Sequence, residues 1–340
     1  MNSQPGIPDD RFEAMLAWLG EIDRLQGAEP KPASADASFR RYFRIRAHEG
    51  SLIVMDAPPE LEDSLPFVRV AGYLEAICLN APRILEANLD RGFLLMTDLG
   101  SMQYLDALQA DPAAAARLYR DALDSLVHLQ SRGLVYQDSL PPYDEKLLRF
   151  ELSLFHDWLC GTHLGIDFSA ADETAWQRTC DLLVKNALDQ PRVFVHRDYH
   201  SRNLMVAPAS NPGILDFQDA VEGPLTYDLV SLLKDCYVRW PAEQVLDWAA
   251  DFYGKLDAGL RRQVDEPLFL RYFELTGVQR HLKAAGIFAR LNHRDQKPGY
   301  MADVPRTLDY IVELGPRHPE LEPLVDFIVA RCLPMLGEAA

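Results

Sequence analysis

What this sequence lacks narrows its function before any motif is read. Its five cysteines, Cys78, Cys160, Cys180, Cys236 and Cys332, are scattered, odd in number and without a C-x-x-C pair. That suggests neither a disulfide framework nor a zinc site, and fits thiols kept in a reducing compartment. Positive charge is scarce: 34 Lys and Arg against 51 Asp and Glu leave a formal net charge of −17. A protein that grips DNA or RNA needs a basic footprint to displace counterions, so no nucleic-acid partner is expected. The surplus carboxylates read as a solvated surface. No apolar run approaches the roughly 18 residues of a membrane span, and Met1–Asp10 is polar, without the basic-then-apolar pattern of a signal peptide. A cytoplasmic protein with no membrane partner is expected. No repeat of fixed period or long low-complexity tract is visible either, which disfavours a solenoid.

What is present is a globular composition, 48% hydrophobic and 25% charged, over 340 residues, enough for two lobes of unequal size. Phe12, Met15, Leu16, Leu19 and Ile22 recur at three-and-four spacing behind Asp9 and Asp10, predicting an amphipathic opening helix. Ser38–Arg46 and Leu52–Met55 read as a hairpin of strands. A helix over about 66–79 precedes the apolar run Gly92–Thr97, which reads as a buried strand ending at Asp98-Leu99-Gly100. From Asp111 the pattern turns helical, with spans near 112–130, 144–160, 171–188, 226–237 and 242–257 and further helices beyond. Three short apolar pieces, Val193–His196, Leu204–Val206 and Gly213–Phe217, interrupt them as small strands carrying loops. The expected class is α+β, with a β-rich lobe over 1–100 and a mainly helical lobe over 101–340.

The chemistry concentrates in Val195-His196-Arg197-Asp198-Tyr199-His200-Ser201-Arg202-Asn203, followed by Leu215-Asp216-Phe217-Gln218-Asp219. Phosphoryl transfer to a hydroxyl needs a carboxylate that positions the nucleophile and takes its proton, and oxygen ligands for Mg²⁺ on the nucleotide phosphates. Asp198 suits the first task, and Asn203 and Asp216 the second. This order and spacing resemble the catalytic loop of protein kinases, with Asp-Phe-Gln where those enzymes have Asp-Phe-Gly. His196 reads as a brace for the loop, not as the base. No Ala-Pro-Glu follows, and Glu222-Gly-Pro-Leu-Thr-Tyr-Asp228 leads into a helix within a few residues, leaving no room for a peptide platform.

The pattern is instead similar to the aminoglycoside phosphotransferase superfamily, whose members phosphorylate small-molecule hydroxyls with ATP and Mg²⁺ on a protein-kinase-like two-lobed fold. The resemblance covers the chain from about residue 30. It implies that Asp228 braces the catalytic loop and that adenine is held near Met96, Thr97, Asp98 and Leu99. It also implies that Ser34–Arg44 takes the place of the glycine-rich loop. That segment contains no glycine, but Ser38 offers a hydroxyl and an N–H to phosphate. Met55 stands near the position of the phosphate-pairing lysine, so another cation is needed. Arg40, Arg41 and Arg44 lie on the preceding strand, and Arg41 is taken as the candidate.

Val54-Met-Asp-Ala-Pro-Pro59, Asp216-Phe-Gln-Asp-Ala220 and Arg290-Leu-Asn-His-Arg-Asp-Gln-Lys-Pro298 resemble one branch of that superfamily, the anomeric kinases of N-acetylmuramate and N-acetylglucosamine used in cell-wall recycling. The likeness implies phosphorylation of the C1 hydroxyl of an amino sugar, whose acidity lets a carboxylate near its usual pKa serve as proton acceptor. Gln218, Asp219, Glu151, His156 and Trp158 are candidates for the acceptor side, and Arg202, Arg280, Lys283, Arg294 and Lys297 for a substrate carboxylate. Two alternatives remain at this stage. One is a kinase of another small hydroxyl acceptor such as an aminoglycoside, choline or homoserine; the other is a pseudokinase scaffold, which Met55 and the glycine-free loop would suit.

Overall fold

A computed structural model describes residues 9–35, 39–47 and 50–337 of the chain; Ser38 lies outside the described residues. In chain order the strands are β1 (Lys31–Ala35), β2 (Arg41–Ala47), β3 (Gly50–Asp56), β4 (Ile84–Asn88), β5 (Phe93–Thr97), β6 (Arg192–Val195), β7 (Leu204–Met205), β8 (Gly213–Ile214) and β9 (Val221–Pro224). The first ten helices are α1 (Asp9–Gly20), α2 (Leu65–Ala76), α3 (Tyr104–Ala110), α4 (Ala115–Arg132), α5 (Glu145–Leu154), α6 (Ala170–Leu188), α7 (Tyr227–Leu233), α8 (Ala242–Lys255), α9 (Ala258–Gln263) and α10 (Glu266–His293). Two compact units result: Met1–Met102 with Met205–Asp219, and Gln103–Leu204 with Ala220–Ala340. A small β-rich unit and a large mainly helical one constitute the protein-kinase-like α+β fold.

In the first unit an antiparallel five-stranded sheet runs in the order β1-β2-β3-β5-β4. Alternation along β2 turns Phe43 and Ile45 into the core beside Val54, while Arg44 and Arg46 take the other face. Helix α1 lays Met15, Trp18 and Leu19 on this surface, with Phe12 against Phe43 at 5.4 Å and Trp18 against Phe93 at 5.7 Å. Leu16, counted in the apolar stripe from the sequence, stays 37% exposed, because it lies about 100° round the helix from Met15. Gly92 turns the chain between β4 and β5 at φ +74°, and a Cβ there would come within 1.9 Å of the Ala57 carbonyl oxygen, so only glycine fits.

The second unit is organised around α10, 28 residues long, hence roughly 42 Å. Asp265 caps it, accepting the Leu268 N–H at 2.9 Å. Its buried positions include Glu274, Gln279, Arg280, His281 and Lys283 as well as Phe269, Phe273 and Val278. Gly286 lets it approach the end of α5 so closely that a Cβ would lie 2.2 Å from the Leu154 carbonyl carbon. The helix expected over 144–160 is α5, after which the chain widens into π turns over Phe155–His163, with the Thr162 hydroxyl bonded to the Asp157 carbonyl at 2.8 Å. Strands β6 and β9 pair antiparallel from Arg192↔Pro224 to Val195↔Val221 and carry the loop described next. Among the described residues no helix is long and apolar enough to cross a membrane.

Candidate active site

The segment after β6 is a hydrogen-bonded platform for Asp198, built within the second unit. Asp228, in the first turn of α7, is fully buried and accepts the His196 N–H at 2.6 Å and the Arg197 N–H at 2.9 Å. These bonds hold Arg197 at φ +78°, a backbone state costing a non-glycine residue about 1–3 kcal/mol. His196 takes the Asp198 N–H on Nδ1 at 3.2 Å and packs its ring edge-on to Tyr199, the bracing part expected of it. The Tyr199 hydroxyl donates to the Ala122 carbonyl of α4 at 2.9 Å, and Asp235 accepts the Ser201 N–H at 2.9 Å. Asn203 closes the loop by donating its amide to the Asp198 carbonyl at 3.0 Å, which makes Oδ1 the atom it would offer a cation.

Electrostatics decide the protonation of this carboxylate pair. Burial would raise the pKa of Asp198, but Lys283, His200, Arg280 and Arg197 outweigh it and lower the group to about 2. The carboxylate near its usual pKa that the sequence suggested is therefore corrected downward. At Asp228 burial prevails over the two backbone donors and pushes the group up to about 7. Asp198 is thus the ionised member of the pair, and Asp228 is the member that braces the loop.

Two of these cations, Arg197 and Lys283, are held by Glu151. Its carboxylate pairs with the Arg197 guanidinium, with Lys283 Nζ at 3.1 Å and with Gln279 Nε2 at 3.1 Å, and it accepts the Tyr143 hydroxyl. Lys283 also donates to the Tyr227 hydroxyl at 2.9 Å. Burial opposes ionisation of Glu151, but Lys283 and Arg197 keep its pKa below the ordinary value. Glu151, a candidate for the acceptor side, sits as counter-ion to Arg197 and Lys283. His156 likewise pairs with Asp157 and Glu173, at 2.9 and 3.0 Å. The Arg202 guanidinium lies over the rings of Tyr237 and Tyr300, 4.5 and 5.5 Å from their centroids.

The first unit carries the remaining candidates. Asp216 adopts φ +62°, a conformation Asp tolerates better than most residues, and accepts the Gln218 amide on Oδ1 at 2.8 Å. Gln218, a candidate for sugar contact, therefore bears on Asp216, while Asp219 is exposed. Phe217 is buried against Phe67 of α2 at 4.8 Å. Met96 is buried; Thr97 is committed to Arg83, through its N–H at 3.1 Å and its hydroxyl at 2.9 Å. Asp98 takes a bidentate pair from Arg44 at 2.6 and 3.0 Å and the Gly100 N–H at 2.9 Å. Leu99 packs against Gly213 of β8, where an added Cβ would come within 3.0 Å of its side chain.

Each arginine considered for the missing lysine has a carboxylate partner: Arg40 pairs with Glu62 at 3.1 Å, Arg44 with Asp98, and Arg41 with Asp56. Asp56 is fully buried and also receives Arg11 at 2.6 and 2.9 Å. This acid was missed in the sequence, as were Asp235, Gln279 and Tyr143; the arginines pairing opposite β3 were its only signal.

Asn203 in the second unit and Asp216 in the first each carry a hard oxygen donor of the kind Mg²⁺ takes. Among the described residues no group of three His, Cys, Asp or Glu is placed to hold a metal ion.

A braced, ionised aspartate on an H-R-D-type loop in this fold defines a phosphotransferase. The chain belongs to the phosphotransferase enzyme family (APH), which matches residues 29–267. It is 47% identical to the N-acetylmuramate/N-acetylglucosamine kinase of Pseudomonas aeruginosa over 97% of this chain and 99% of that protein. It is 41% identical to the protein of the same name from Neisseria meningitidis serogroup B, over 92% and 93%. Among solved structures it shares the fold of a Plasmodium vivax ethanolamine kinase, with TM-score 0.62, 12% identity and 96% and 89% coverage. The gentamicin–APH(2″)-IIa complex matches with TM-score 0.58 and 14% identity over 90% and 97%.

Proposed function

We propose that the chain is an ATP-dependent sugar kinase that phosphorylates the anomeric C1 hydroxyl of N-acetylmuramate and N-acetylglucosamine. The observation that carries the reading is Asp198, kept ionised by Lys283, Arg280 and Arg197 on a loop braced by Asp228. Relatives named for these two sugars, similar along almost the whole chain, support the choice of acceptor. Asp198 accepts a hydrogen bond from the sugar hydroxyl, orients its oxygen toward the phosphorus and receives the proton as the new bond forms. A pKa of about 2 makes it a weak base. That suits a loose transition state, in which proton transfer follows bond formation and positioning does most of the work.

Asn203 and Asp216 hold Mg²⁺, while Ser38, Arg41 and the segment Met96–Leu99 serve the nucleotide. An arginine has five N–H donors, so the pair of Arg41 with Asp56 through Nε and one terminal nitrogen does not exhaust it. When bound, Mg²⁺ and ATP supply the activated phosphoryl group and neutralise charge on its oxygens.

The test is turnover of ATP against N-acetylmuramate, N-acetylglucosamine, choline, homoserine and kanamycin, with wild type and Asp198→Asn. Turnover of the two sugars is expected, with kcat lowered about 10²–10⁴-fold in the variant and the fold intact by circular dichroism. Phosphorylation of choline but neither sugar refutes the assignment of acceptor, and a fully active variant refutes the role of Asp198.

A further inference from the structure

N-acetylmuramate differs from N-acetylglucosamine by a lactyl ether that ends in a carboxylate. A site that takes both sugars and distinguishes them needs a cation for that group. Three of the five candidate cations are occupied. Lys283 is shared between Glu151 and the Tyr227 hydroxyl. Arg280 is buried, and its charge already serves to keep Asp198 ionised. Arg294 is turned onto Asp295, at 2.8 and 2.9 Å.

Arg202 differs from these. It stands four residues after Asp198 and one before Asn203, on the loop that carries the chemistry. Its guanidinium lies over Tyr237 at 4.5 Å and Tyr300 at 5.5 Å, and among the described residues it makes no ion pair with a carboxylate. A guanidinium carries five N–H donors, so the hydrogen bond that Arg202 makes to the Tyr237 side chain does not exhaust those that can grip a carboxylate. The clamp is itself supported. Phe288 of α10 stacks on Tyr300 at 5.7 Å, and Tyr237 is fixed through its N–H to Asp235 at 2.9 Å and its carbonyl to Arg306 at 2.9 Å. The carboxylate of Asp303 pairs with Arg306, 3.5 Å away, and also bears electrostatically on Arg202 without forming an ion pair with it.

We propose that Arg202, held by Tyr237 and Tyr300, is the receptor for a carboxylate on the acceptor sugar and sets the preference for N-acetylmuramate over N-acetylglucosamine. This rests on the amino-sugar reading above. A planar cation, its pose fixed by aromatic faces before the ligand arrives, spends little entropy on binding, so the pair adds selectivity that a mobile surface lysine would not.

The experiment measures kcat/KM for both sugars in wild type, Arg202→Met, Arg202→Lys and Lys297→Met. The expected result is a fall of about 10–100-fold in the N-acetylmuramate to N-acetylglucosamine ratio for Arg202→Met, carried mainly by KM for N-acetylmuramate. A smaller fall is expected for Arg202→Lys, which keeps the charge but not the fork. A ratio unchanged within about twofold, with both sugars losing activity together, overturns the proposal in favour of a loop-supporting role. A ratio that moves with Lys297→Met and not with Arg202→Met overturns it too. Wild-type enzyme that phosphorylates neither sugar defeats the amino-sugar reading itself, an outcome distinct from both.

Discussion

At Asp198 burial and four basic groups, Lys283, His200, Arg280 and Arg197, pull in opposite directions, and the basic groups prevail, leaving the carboxylate at about 2. A depressed carboxylate contributes stability above its unfolded value of about 3.9 and loses it as pH falls toward the folded value. Over the range where the enzyme works Asp198 stays charged, and no acid limb near pH 4 in kcat/KM arises from it. Lys283 is the largest of the cationic influences. Lys283→Met is therefore expected to raise the pKa of Asp198 and bring an acid limb of kcat/KM up toward pH 4–5, about the ordinary carboxylate range or slightly above. A variant whose pH profile overlays that of wild type contradicts the assignment. Asp198, Asn203 and Asp216 stand out in the sequence because the proposed chemistry would confine its groups to short stretches with fixed spacing. Glu151 was legible as a polar residue of α5 but not in its role. Its partners Arg197, Gln279 and Lys283 are 46, 128 and 132 positions away, and no local pattern records them.

At the scale of elements, three pieces hold the catalytic loop: β6 delivers it, α7 braces it through Asp228, and α10 supplies the charges beneath it. The ion network between α5 and α10 couples the last of these to stability. Glu151→Gln leaves Arg197 and Lys283 without their anion inside the fold, and a loss of about 3–5 kcal/mol is expected, read as a lower urea midpoint. A midpoint unchanged from wild type would show that the network does not carry the load placed on it here. The element pattern explains which parts of the fold the sequence disclosed. Helices α4, α6 and α8 and strand β5 carry strong apolar periodicity or a plain apolar run and fall where expected. The length of α10 was hidden, since buried, paired charges such as Glu274, Arg280 and Lys283 break the amphipathic stripe. The wide turns after Leu154 were hidden because the close approach at Gly286 is a tertiary constraint.

At the scale of the whole molecule, the acidic surface, the lack of a peptide platform and membership of the phosphotransferase family agree on a small acceptor rather than a macromolecule. The absence of a lysine at Met55 loses force as an argument for a scaffold, because α5, α7 and α10 together keep a charged aspartate poised on its loop. The central claim is transfer to the anomeric oxygen, and the position of the phosphate tests it most directly. With ATP, Mg²⁺ and N-acetylglucosamine or N-acetylmuramate, the account predicts a product whose phosphorus couples to the anomeric proton in a ³¹P–¹H correlation spectrum. Coupling to the C6 methylene protons, or to any ring proton other than H1, would contradict it.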